Sequence, residues 1–400
     1  MKILVVCQYY YPEPFRITDI CEELVGLGHD VTVVTGTPNY PMGDIYPGYE
    51  HNAHRDESIN GVTVHRCPIH PRKTGPIHRL WNYYSFSFAS TRYIKRLDAS
   101  FDVVFINQLS PVMMAKAGMA YARKHHKRSV LYCLDLWPAS LGVGGIRKGL
   151  VYKWFRRVSH KIYRSVDKIL ISSQSFSKYF EEEFGIHDTT YLPQYAETNF
   201  SPNDCAKQPN DTMDLMFAGN VGTAQSVQTI IRAAAMCKDI RRLRWHIVGD
   251  GRELNSCRQL AKELEAPVTF YGRKPLRDMP TYYAMADAML VTMQKDPVIS
   301  LTLPGKVQSY LAAGKPIIGA ASGETQRVIG ESESGVCADA EDAQGLADCV
   351  REFVRSDKQA FMTNARRYYN DHYTKEKFME KLEEILSGKQ ATSKEAAVNI

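Results

Sequence analysis

No stretch of this 400-residue sequence approaches the ~18 consecutive apolar residues that a membrane-crossing helix needs, so an integral membrane protein is not expected. The apolar opening at residues 3–7 is too short for the core of a secretory signal and runs straight into a Tyr/Pro loop. Cysteine is present as an odd set of nine without a C-x-x-C pair, and Cys7 and Cys133 lie within apolar, strand-like runs. That usage fits buried, reduced thiols and a cytoplasmic setting rather than a disulfide framework. Glycine is missing from the loop after the first strand-like run (CQYYYPEPFRITDI), so the G-x-G-x-x-G dinucleotide fingerprint is absent where a dehydrogenase would carry it. An NAD-dependent oxidoreductase is thereby disfavoured.

What is present is ordinary globular composition, 44% hydrophobic and 24% charged, at a length that suits two or three domains. The net charge of +6 is unevenly held. Residues 1–195 carry 24 Lys and Arg against 17 Asp and Glu, whereas residues 196–400 carry 26 against 27. Two blocks, residues 58–97 and 136–166, each hold seven basic residues and no acid.

Short apolar runs at residues 3–7, 31–35, 62–66, 103–106, 130–134 and 169–172 alternate with helical patterns, of which residues 17–27 are the clearest. Such alternation predicts βαβ units and a parallel sheet. Proline and polar residues gather over residues 192–214, which reads as a linker. The alternation then resumes at residues 215–218, 245–248, 268–271, 288–292, 316–319 and 335–337, followed by helical patterns only. The expected organisation is two doubly wound domains, 1–195 and 196–370, a helix at 371–387 and a frayed tail at 388–400.

Open parallel sheets bind ligands beyond the carboxyl ends of their strands, so two sheets in tandem place the expected site in a cleft between them. Arg16, near the start of the first helix, can meet an anion there or merely solvate a turn. At the head of the second half, Gly219, Asn220, Gly222 and Gln225 lie in a small-residue loop between strand and helix, a backbone setting suited to a diphosphate. Gly249 and Gly251 follow the next strand, where a tight turn explains them almost as well as a ligand. Gly272, after the third, is counted with these loops. Pro304, Gly305 and Lys306 open an amphipathic helix, which leaves the amides of Gly305 and Lys306 unpaired beside an ammonium group. Glu324 lies in a further loop of this kind, as a ligand contact or a cap. In the first half Asp135 follows a strand and could orient a hydroxyl, act as a base, or cap a turn.

The block at residues 147–164 has Val151, Phe155, Val158 and Ile162 at helical spacing for packing, with Lys153, Arg156, Arg157, Lys161 and Arg164 largely elsewhere. Residues 72–96 mix Arg72, Lys73, Arg79, Arg92, Lys95 and Arg96 with Trp81, Tyr83, Tyr84, Phe86 and Phe88. Aromatics among cations favour an anionic membrane surface over a plain solvated face, and over nucleic acid, which is not an expected partner.

Taken together, YYPEPFRITDICEELVGLGHDVTVVTG, PNYPMGDIYPGY, DLWP, FAGNVG, IVGDG, LPGKVQSYLAAGKPIIG and NARRYYNDHY resemble the family 4 retaining glycosyltransferases of the GT-B fold, in the branch of bacterial O-antigen and capsule transferases of the N-acetyl-L-fucosamine type. The resemblance runs to about residue 386. It implies donor binding by the second domain, acceptor binding by the first, and a C-terminal helix that crosses back. Members commonly carry two glutamates spaced E-x7-E, one toward the donor sugar and one toward the ribose; here those positions are Leu301 and Ser309. No D-x-D pair occurs, so metal-independent binding of a nucleotide-diphosphate sugar, UDP-linked by expectation, is anticipated, with Lys306 and Asp135 as the catalytic candidates. The implied reaction is transfer of an N-acetylated or deoxy hexose to a polyprenyl-diphosphate-linked glycan at the inner face of the plasma membrane, in capsule, O-antigen or exopolysaccharide synthesis. A sugar-nucleotide 2-epimerase of the same fold and a non-catalytic sugar-nucleotide-binding subunit are the alternatives.

Overall fold

The computed structural model describes residues 1–41, 43–71, 76–97, 100–144 and 149–388. It divides into two compact units: Met1–Ser172 with Phe176–Leu192 and the described residues after Phe378, and Ser173–Ser175 with Pro193–Phe378. Of the tail expected at residues 388–400, all but residue 388 lies outside the described residues.

Unit 1 runs β1 (Lys2–Cys7), α1 (Ile17–Gly26), β2 (Asp30–Gly36), β3 (Asp56–Ile59), β4 (Val62–Cys67), α2 (Pro76–Ile94), β5 (Val103–Gln108), α3 (Lys116–His125), β6 (Arg128–Cys133), α4 (Leu150–Tyr163), β7 (Lys168–Ile171), α5 (Phe176–Phe184) and β8 (Thr189–Tyr191). These strands form one sheet in the order β3-β4-β2-β1-β5-β6-β7-β8, parallel throughout except for the antiparallel β3–β4 pair. β5 (VVFINQ) is buried at every residue, the mark of a central parallel strand covered on both faces. Helix α1 buries Ile17, Ile20, Cys21 and Leu24, a single helical stripe.

Unit 2 runs β9 (Met213–Ala218), α6 (Val227–Met236), β10 (Leu243–Val248), α7 (Leu254–Glu263), β11 (Val268–Gly272), α8 (Met279–Met285), β12 (Ala288–Thr292), α9 (Gly305–Ala312), β13 (Ile317–Ala320), α10 (Glu324–Ser332), β14 (Gly335–Ala338), α11 (Ala343–Arg355) and α12 (Lys358–His372), after which α13 (Lys375–Ser387) leads back into unit 1. Its sheet is wholly parallel, in the order β11-β10-β9-β12-β13-β14. Successive side chains of β9 point to opposite faces: Leu215 and Phe217 enter one hydrophobic cluster with α6 and α11, while Met216 and Ala218 enter another with α9 and α12. The strand order reverses between β1 and β5 in the first unit and between β9 and β12 in the second, and these switch points are where the fold class places ligands.

Among the described residues no helix is long and apolar enough to cross a membrane. The nine cysteines form no disulfide.

Candidate functional site

The site is built at the switch point of unit 2. Tyr310 fixes α9 there: its fully buried hydroxyl accepts from Ala218 N at 3.3 Å and lies 3.2 Å from Ala218 O, at the end of β9. Pro304 is extended and gives no side-chain cap, and its carbonyl accepts from Val307 N at 2.9 Å. The N–H groups of Gly305 and Lys306 are therefore open at the helix start, where the macrodipole favours an anion. A Cβ placed on Gly305 would meet nothing within 4 Å, so that side of the helix start is open.

Beside them the Lys306 ammonium turns back toward the sheet. Its Nζ lies 3.9 Å from the centre of the Phe217 ring and 2.5 Å from Gln225 Oε1. Burial pushes this lysine down to about 7, and among the described residues no carboxylate pairs with it. Burial without a carboxylate beside it disfavours the charged form of this amine. Gly219 makes the room: a Cβ there would stand 2.9 Å from Lys306 Nζ, in a backbone conformation, φ +147°, that side chains rarely adopt. Thus Gly219, Gln225, Gly305 and Lys306 are brought together.

The remaining glycines act on one another. A Cβ on Gly249 would lie 1.8 Å from the Gly219 carbonyl oxygen, and one on Gly251 2.4 Å from that of Val221. The loops after β9 and β10 are packed backbone to backbone, and Val221 N donates to Asp250 O at 2.9 Å. Asn220 folds its side chain over Gly222, where a Cβ would be 2.7 Å from Nδ2. Gly272, at the end of the edge strand β11, accepts from Gly249 N at 2.9 Å. These residues shape the loop that carries Gln225 and Lys306's neighbour Gly219.

Glu324 is placed differently from the expectation of a ligand contact. Its fully buried carboxylate pairs with Arg327 at 2.8 Å and accepts from Gln174 N at 3.1 Å and Ser175 N at 3.2 Å, securing the Ser173–Ser175 segment within unit 2. Arg16 lies in unit 1, immediately before α1 in the loop that follows β1. Asp135, also in unit 1, follows β6; burial raises its carboxyl above the usual carboxylate range, and Ser110 Oγ donates to it. Ser110 Oγ lies a further 2.9 Å from Ser140 Oγ, so Asp135 heads a short chain of hydroxyls.

The basic blocks need two corrections. On α4 the buried residues are Phe155, Ser159, Ile162 and Tyr163, while Val151, expected to pack, is exposed along with Leu150 and Trp154. Arg156 is bound by Glu183 of α5, through the carboxylate and through Glu183 O at 2.8 Å, so a block without acids in sequence acquires one in space. On α2, Trp81, Tyr84 and Phe88 form an i, i+3, i+7 stripe whose outer members are 63% and 73% exposed, and Tyr84 meets Trp154 of α4 at 6.4 Å between ring centres. Arg72, Lys73, Arg147 and the side chain of Arg79 lie outside the described residues. No group of three or more His, Cys, Asp or Glu among those described is arranged to hold a metal ion.

Comparison with known proteins gives the family. Residues 15–193 match the glycosyl transferase 4-like domain, and residues 212–356 match the glycosyl transferases group 1. The chain belongs to the group 1 glycosyltransferases. This glycosyltransferase is 26% identical over 393 residues to WcaI of Escherichia coli K12, assigned as a colanic acid biosynthesis glycosyl transferase, with 92% of this chain and 95% of the relative covered. It is 25% identical over 276 residues to the glycosyltransferase WbjE of Pseudomonas aeruginosa, across 64% and 68% of the two chains. Among solved structures it is similar to sucrose-phosphate synthase from Thermosynechococcus elongatus (TM-score 0.75, 16% identity, 97% and 98% covered) and to Anabaena HepE in complex with UDP (TM-score 0.71, 15% identity, 97% and 100% covered). The fold is GT-B, and the enzyme is a glycosyltransferase of glycan and polysaccharide synthesis. The epimerase and binding-subunit alternatives draw no support from these matches.

Proposed function

We propose that unit 2 binds a nucleoside-diphosphate sugar with its diphosphate against the Gly305 and Lys306 amides and the Lys306 ammonium, and that the sugar is transferred with retention to a polyprenyl-diphosphate-linked glycan. The observation that carries this reading is the buried Lys306 amine, which has Gln225 and an aromatic face beside it and, among the described residues, no carboxylate. As the anomeric C–O bond breaks, the electron pair goes to the leaving diphosphate, and preorganised amides and an ammonium meet the charge that develops. The acceptor hydroxyl attacks from the same face and its proton passes to a phosphate oxygen of the donor. Asp135, held by Ser110, orients the acceptor from unit 1. In this reading no metal is needed for the leaving group, because the amides and Lys306 answer its charge.

Two experiments test the proposal. Lys306→Met should remain folded and lose ~10²–10³ in turnover, the cost of one oxyanion donor, equivalent to ~2.7–4 kcal/mol; a loss below tenfold would remove the diphosphate from this site. For the acceptor side, Trp81, Phe88, Leu150 and Trp154 expose apolar surface next to Lys153 and Arg157, a composition suited to the headgroup layer of an anionic bilayer. Changing Trp81 and Phe88 to Ser should abolish sedimentation with anionic liposomes while turnover on a short soluble acceptor is kept. Undiminished sedimentation would end the membrane assignment.

A further inference from the structure

Ser309 stands one helical turn after Gly305 on α9, and its Oγ lies 3.2 Å from Gly305 O and 3.3 Å from Glu197 Oε2. The carboxylate comes from a segment distant in sequence and firmly held. Ala196 N donates to Tyr369 Oη at 3.3 Å, and Phe200 N closes a turn on Glu197 O at 3.2 Å. Phe200 stacks on Tyr283 at 4.6 Å between ring centres, and Tyr283 meets Tyr310 of α9 at 5.5 Å. The aromatic series Phe200–Tyr283–Tyr310 thus ties Glu197 to the same helix whose first turn offers the open amides.

A turn of helix rises about 5.4 Å, comparable with the step from a nucleotide's phosphate to its ribose. A ribose presents two adjacent hydroxyl donors, and an ionised carboxylate offers two acceptor oxygens, so the two groups match in number and in polarity. Ser309 itself is buried and short, and places no charge there. We propose that Glu197 is the ribose-binding carboxylate of the donor site, supplied across the fold to a position where α9 carries only a serine. This inference rests on the nucleotide-sugar reading and adds to it a specificity-determining residue.

The test is calorimetric titration of the full chain with UDP and with 2′-deoxy-UDP, and with the corresponding guanosine pair. The wild-type protein should prefer the ribonucleotide about tenfold or more, the scale of a hydrogen bond to a charged group. In Glu197→Gln the preference should shrink toward unity while affinity for the deoxynucleotide stays unchanged, which also reports that the variant is folded. In the double variant Glu197→Ala, Ser309→Glu the preference should return. A wild-type protein indifferent to the 2′-hydroxyl, or a preference that survives in Glu197→Gln, overturns the assignment and leaves the diphosphate site standing. A wild-type protein that binds no nucleoside diphosphate overturns both.

Discussion

Both units turn their strand order at one point, and each buries a charged group there, with opposite outcomes. In unit 1 the loop after β1 carries Glu13, only 2% exposed, whose Oε1 accepts from Asn39 N at 2.9 Å and Tyr40 N at 2.7 Å while Oε2 faces Tyr10 N at 3.3 Å. In unit 2 the loop after β9 and the start of α9 bury Lys306 with one neutral oxygen as its partner. The carboxylate is satisfied by the protein itself and serves to pin the loop around residues 38–40 against the loop around residues 10–13. The Lys306 amine has, among the described residues, only the Gln225 oxygen and the Phe217 ring beside it. Buried charges therefore have to be sorted by what already answers them before they are read as sites.

The contrast can be broken from either side. Losing Lys306 should cost most where it matters for turnover, the ~10²–10³ given above, and should leave the melting temperature unchanged or raised, because the side chain contributes a buried amine with a single neutral oxygen as hydrogen-bond partner. Glu13→Ala should do the reverse: stability falls by about 2–4 kcal/mol as the Asn39 and Tyr40 amides lose their acceptor, measurable by denaturant unfolding. A Glu13→Ala protein as stable as the wild type would show that water replaces the carboxylate without loss. The smallest effect is one of pH. Lys306 in the free enzyme is held down to about 7, whereas a bound diphosphate favours the ammonium form. Binding then takes up a proton above pH 7, and nucleotide affinity should weaken by up to tenfold per pH unit as the solution is made more alkaline. Titration in buffers of different ionisation enthalpy reads that proton directly; no uptake at pH 8 would mean that the ammonium does not meet the ligand.

The sheets were readable from the sequence because their central strands are buried on both faces and so appear as continuous apolar runs. β3 (DESI) and β8 (TTY) were missed for the complementary reason: they are short edge strands with at most one apolar residue at a time. At the site, Pro304–Gly305–Lys306 was legible since an uncapped helix start is a local property. The packing of Lys306 on Phe217, 89 positions away, was not. Gly249 and Gly251 look like ligand contacts in sequence, yet a glycine required by another loop's backbone leaves the same trace. Glu197 gave no signal, because what distinguishes it is the helix it faces. Arg156 misled for the same reason: its counter-ion, Glu183, lies outside the acid-free block.

The return of α13 to unit 1 has a practical corollary. His29 Nε2 lies 3.1 Å from Glu383 Oε1, and Arg128 donates to the carbonyl of Ile385, so α13 is fastened to the turn before β2 and to the start of β6, and covers the surface between them. Residues 1–192 expressed as a fragment would leave that surface bare, and a stop codon shortly after Phe378 would injure the half of the enzyme that was translated first. Any attempt to separate the halves should therefore graft the final helix onto the amino-terminal piece, or rearrange the gene so that the two become contiguous.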